Sequence, residues 1–105
     1  MTEMERRIVA IIGSSKFKDQ HLGVAQRETL RGNIVLLAGF WHHKDMVPIS
    51  DLQKEQIDRL MLDKIELATE VLVVNVNGYV GKSTQRGIEH ARALGKPIKY
   101  LEPES

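Results

Sequence analysis

Cysteine is absent from these 105 residues, which excludes a disulfide framework and thiolate chemistry and agrees with a reducing compartment without requiring one. Long apolar runs are also missing, and the MTEMERR start is polar and charged, so neither a membrane span nor a signal core is expected. An excess of one charge is lacking as well: 15 Lys and Arg against 14 Asp and Glu leave a net charge of +1. So small a surplus sets up no broad field for gripping a polyanion, and no nucleic-acid partner is expected. Metal-ligand spacing is not found either. His42 and His43 are adjacent on a loop where neighbouring side chains can point apart, and His21 and His90 have no ligand-spaced companion, so no metal is expected. The expectation from these absences is a cytoplasmic protein that needs no membrane.

What is there is enough for one domain, residues 1–105, with 42% hydrophobic residues and no low-complexity tract. One grammar repeats along it. Residues 8–12 (IVAII), 34–40 (IVLLAGF) and 71–74 (VLVV) are apolar runs without alternation, as strands buried on both faces are. Between the first two, Leu22, Ala25, Thr29 and Leu30 follow helical spacing over residues 18–31, with Gly32 as the stop. Ser50 stands three residues before Gln53, the spacing of a capping box, and Ile57, Leu60, Met61, Ile65 and Ala68 predict one face of the helix behind it. A last helix carries Ile88, Ala91 and Leu94 inward and ends at Gly95 and Pro97, before a short, half-polar edge strand within PIKYLEP. Strands apolar on both faces and alternating with helices predict an α/β fold: a three-layer sandwich around a doubly wound sheet of about four parallel strands.

In such a sheet the loops at the carboxyl ends of the strands gather along one edge, where ligands bind. Three loops qualify: GSSKF, FWHHKD and NVNGYVGKST. The last ends like a triphosphate-binding loop, yet such a loop needs a glycine five residues before the glycine of its GK[ST], and that position is Val76. Two glycines, Gly78 and Gly81, followed by Ser83 or Thr84 as the N-cap of the last helix suit a single phosphate or a ribose hydroxyl instead. Asn75, Asn77 and Lys82 belong to the same loop. Gly13, Ser14 and Ser15 repeat the theme after the first strand, with Phe17 beside them; Lys16 and Lys18, together with Lys82 and Arg86, predict a local basic patch. Trp41, with His42 next to it, and Tyr79 offer rings that either stack on a base or cover the sheet edge.

IVAIIGSSKF, DKIELATE running into VLVVNVNGYVGKST, and ARALGKPIKYL together resemble the nucleoside 2-deoxyribosyltransferase family and its relatives that hydrolyse the N-glycosidic bond of deoxynucleoside 5'-monophosphates. The likeness runs over residues 7–103 and is nearest to small phage and bacterial members. It implies a flavodoxin-like sheet, a nucleoside or nucleotide bound over the strand ends, no cofactor, and a homodimer or larger homo-oligomer whose neighbour completes the pocket.

Breaking an N-glycosidic bond passes through an oxocarbenium-like sugar, which calls for a carboxylate near the anomeric carbon. The resemblance puts the family's glutamate at Gly87 and an aspartate that contacts sugar or base at Met61, so neither acid stands in its place. Glu89 and Asp63, each two residues further on, are the nearest substitutes, and two residues turn a side chain about 200° around a helix. An enzyme and a nucleotide-binding module without chemistry therefore both fit the sequence.

Overall fold

A computed structural model describes residues 6–39, 41 and 45–103. Its elements in chain order are β1 (Ile8–Gly13), α1 (Lys18–Leu30), β2 (Ile34–Leu36), α2 (Asp51–Leu67), β3 (Glu70–Val74), α3 (Lys82–Ala93) and β4 (Ile98–Tyr100), with single 3-10 turns at Ser15–Phe17 and Val76–Gly78. The four strands form one parallel sheet in the order β2-β1-β3-β4. The expected α/β sandwich with a flavodoxin-like, doubly wound sheet is what the chain forms.

The unbroken apolar runs are explained by the two layers of core. Val9 and Ile11 of β1 and Leu72 and Val74 of β3 meet Val24 and Ala25 of α1 on one face. Ala10, Ile12, Val71 and Val73 meet Ile65 of α2 and Ile88 and Ala91 of α3 on the other. Each such side chain taken out of water contributes about 1.5–3 kcal/mol, and the one polar residue of the central strands, Glu70 at the start of β3, is buried against Arg7 and Lys99.

The helices depart from expectation in instructive ways. The capping box at α2 forms in full, with Ser50 Oγ accepting from the Gln53 amide and Gln53 Oε1 accepting from the Ser50 amide. In α1 the spacing is right but the face is displaced: His21, Val24, Ala25 and Glu28 are buried, while Leu22 and Leu30 are exposed. Polar partners account for Glu28. Burial alone would push its carboxyl up, but hydrogen bonds from Asn33 and Arg27 and the charges of Arg27 and Arg31 hold it below its ordinary range. β2 ends at Leu36 rather than running through the apolar stretch to residue 40, and Leu37 and Ala38 leave the sheet. That early exit opens space under α2. Among the described residues, no helix is long and apolar enough to cross a membrane.

Candidate functional site

α1 covers one face of the sheet while α2 and α3 cover the other, so the winding reverses between β1 and β3. Their carboxyl ends, Gly13 and Val74, are partners in the parallel register. A ligand crevice is expected just outside that pair. Gly13 allows the approach: its φ is +151°, and a Cβ there would lie 2.8 Å from the Val74 carbonyl oxygen.

A cavity of about 400 Å³ opens at this edge, within the size range of small-molecule sites. Its walls are largely apolar, from Ile12, Leu36, Ala38, Ile49, Ile57, Leu60 and Met61. Gly13, Ser14 and Ser15 border it from the first loop, and Tyr79, Gly81, Lys82, Ser83 and Thr84 from the third. α2 adds Lys54, Asp58 and Lys64. A smaller hollow of about 220 Å³ between α2 and α3 shares Asp58, Met61 and Ser83 with it.

The start of α3 differs from the expected cap. Gly81, not Ser83 or Thr84, is the N-cap, and it offers no side-chain oxygen. Ser83 and Thr84 lie inside the first turn, and the first helical bond is Gln85 N–H to the Gly81 carbonyl. The amides of Lys82, Ser83 and Thr84 come before that bond and have no partner within the helix, at the end where the helix dipole is positive.

Asp58 is the only acid among the described residues lining the larger cavity. Lys54 Nζ donates to its two oxygens at 2.7 and 3.0 Å and to Ser83 Oγ at 3.0 Å, tying α2 to α3. The Arg86 guanidinium stands 3.8 Å away. Against this carboxylate are the ammonium groups of Lys54, Lys64 and Lys82, so the lining has a positive surplus within apolar walls. Sequence reasoning missed Lys54, Asp58 and Lys64. Their spacing of four and then six residues was the available signal, since it places all three along the side of α2 that carries Met61.

Other residues named from the sequence have different surroundings. The Lys16 ammonium sits 3.5 Å from the centre of the Tyr79 ring, and Phe17 meets that ring edge-on at 5.9 Å, so the two pack behind Tyr79 rather than lining the cavity. Lys18 pairs with Asp45 at 3.1 Å, and Arg86 with Asp58, so the predicted basic patch is divided among separate partners. Trp41 is buried edge-on against His21, at 4.9 Å between ring centres, and His42 lies outside the described residues. Asp63 faces Arg59 at 3.6 Å, Glu89 is exposed, and neither borders the cavity.

Asn75 and Asn77 turn toward the segment after β4, while Gly78 closes the turn by donating its amide to the Asn75 carbonyl at 2.9 Å, and none of the three lines the cavity. Asn75 Nδ2 donates to the Glu102 carbonyl at 2.9 Å and its Oδ1 accepts from the Glu102 amide at 2.8 Å, while the Asn77 amide donates to the Glu102 carboxylate. Asn75 is buried, so Asn75→Ala removes both bonds and leaves the half-buried backbone groups of Glu102 without them. The expected loss is about 2 kcal/mol, read as a lower urea midpoint, with the cavity residues untouched.

His21 is fully enclosed, and neither ring nitrogen has a hydrogen-bond partner among the described residues. Burial lowers its pKa to about 4, against a small upward pull from the Ser14 backbone, which lies close without completing a bond. The ring is therefore neutral in the folded chain and takes up a proton near pH 6.5 when unfolded. Stability is full above that pH and falls as the pH drops toward 4, by about 3 kcal/mol in all. In urea titrations between pH 7 and 4, His21→Leu is expected to lose this part of the acid dependence.

Fold and site together define a doubly wound α/β protein with a ligand-sized cavity at its switch point. No protein-family model matches the chain, and no curated protein matches its sequence.

Proposed function

We propose that the cavity binds a deoxynucleoside or its 5'-monophosphate and that the protein acts on the N-glycosidic bond, as a hydrolase or transferase without a cofactor. The observation that carries this reading is the placement of one carboxylate, Asp58, between a cationic rim and apolar walls. A phosphate is held by the first-turn amides of Lys82, Ser83 and Thr84 with the ammonium group of Lys82, and Lys54, whose donors go to Asp58 and Ser83, adds only its charge. The base is covered by Leu36, Ile57, Leu60 and Met61. Between them Asp58 meets the sugar, where a negative charge stabilises an oxocarbenium-like transition state or attacks the anomeric carbon. Asp58, and not Asp63 or Glu89, takes the part that the resemblance assigns to an acid.

A second reading has its own observation. Lys54 holds both oxygens of Asp58, and the position where the resemblance expects a glutamate is Gly87, packed against Ile12, Ile65 and Met61. That arrangement fits a nucleotide-binding module without chemistry, a sensor or a sequestering protein. Incubation with each deoxynucleoside and its 5'-monophosphate, followed by chromatography for free base, separates the two. Base release supports the enzyme, and binding without release supports the module. Neither binding nor release with any of them overturns both.

A further inference from the structure

α2 presents its polar groups to the cavity in a fixed order. The backbone of Lys54 lies beside the start of α3, that of Asp58 about 6 Å further along the axis and that of Lys64 about 9 Å beyond that, while the Lys54 and Asp58 side chains meet at 2.7 Å. Lys64 Nζ donates to the carbonyl of Leu37 at 2.9 Å, just where β2 breaks off, between Leu36 and Ala38 of the cavity wall. An ammonium has three hydrogens, so this bond leaves donors over, and Lys64 offers no acceptor. The amine is far enough from water that its pKa falls below the ordinary lysine value. Lys64 is half-buried, so its remaining donors meet water in the free protein and a ligand acceptor when one is bound.

We propose that Lys64 reads the base: at the end of the cavity away from Lys54 it selects nucleobases presenting a carbonyl oxygen over those presenting an amino group at the same position. This rests on the nucleotide reading above and goes further by naming the class of base and the residue that chooses it. With phosphate at the first turn of α3 and sugar at Asp58, the base extends along α2 toward Lys64. A 4-oxo pyrimidine or 6-oxo purine then accepts from the ammonium, while the matching 4-amino or 6-amino base brings a donor against a donor.

The test compares pairs that differ in the oxo or amino group and in the proton on the ring nitrogen beside it, dUMP against dCMP and dIMP against dAMP, by calorimetric titration of the whole chain. The oxo member of each pair is expected to bind about tenfold more tightly, the worth of one charge-assisted hydrogen bond. Lys64→Met is expected to bring each pair within about twofold, whereas Lys64→Arg, which keeps a cationic donor, retains the preference. Equal binding within both pairs by the wild-type chain, or preference for the amino member, overturns the inference while leaving the nucleotide reading intact. Binding of none of the four overturns both. Because the wild-type comparison needs no variant, the result stands even where Lys64→Met loosens the chain at Leu37.

Discussion

Gly87→Glu is expected to unfold or severely destabilise the protein rather than to supply the glutamate that the resemblance places there. A Cβ at Gly87 would stand 3.1 Å from Ile12 Cδ1 and 3.2 Å from both Ile65 Cδ1 and Met61 Cε. The side chain would start in the core layer that joins β1, α2 and α3, behind Ile12 and Met61 of the cavity wall, and Gly87 itself does not line the cavity. An unpaired carboxylate there lacks a hydrogen-bond partner and overfills a packed layer, and the combined cost is about 3 kcal/mol or more. Gly87→Ala is the control. Alanine favours the helix by about 1 kcal/mol, and that gain is set against three contacts with flexible side-chain ends, so its stability should stay within about 1 kcal/mol of wild type. Urea midpoints for the two variants measure the difference. A glutamate variant as stable as wild type that releases free base faster would show instead that position 87 looks into the site.

Gly87 also marks the boundary of what was legible in the sequence. A glycine in mid-helix signals that something comes close, but the sequence does not say what; the neighbours prove to be side chains from β1 and α2. The layers were readable because β1 and β3 must be apolar on both faces, a demand that leaves a local trace in IVAII and VLVV. The capping box was readable for the same reason, since its two bonds span only residues 50–53. The face of α1 was not, because Glu28 is buried through its polar neighbours Arg27, Arg31 and Asn33 and His21 with no partner among the described residues, and apolar spacing ranks polar residues as outward. In the site, the residues that follow strands were legible: Gly13, Ser14, Ser15, Gly81, Lys82, Ser83 and Thr84 share one cavity. Asn75 and Asn77 look like part of the same loop, yet Glu102 claims them, and nothing local announces that pairing. The α2 contribution was hidden because charged residues on a helix usually face water. Their shared side of α2 gains its meaning once β2 is seen to stop at Leu36, which leaves Lys54, Asp58 and Lys64 bordering the cavity.

Asp58→Asn is the sharpest test of chemistry at that flank. The substitution keeps the shape and an oxygen for Lys54 to bond, and removes only the negative charge. If Asp58 meets the sugar in the transition state, base release should fall about 10²–10³-fold, the scale seen when one preorganised electrostatic partner is lost. Monophosphate binding should hold or tighten, because the variant removes the one negative charge among Lys54, Lys64 and Lys82. The effect then lies in kcat and not in KM, the pattern of an interaction made only in the transition state. Asp63→Asn and Glu89→Gln provide the comparison. Both carboxylates lie away from the cavity, and their removal should leave the rate unchanged. A full rate in Asp58→Asn, with loss in either of the others, would mean that the substrate approaches α2 or α3 from a different side.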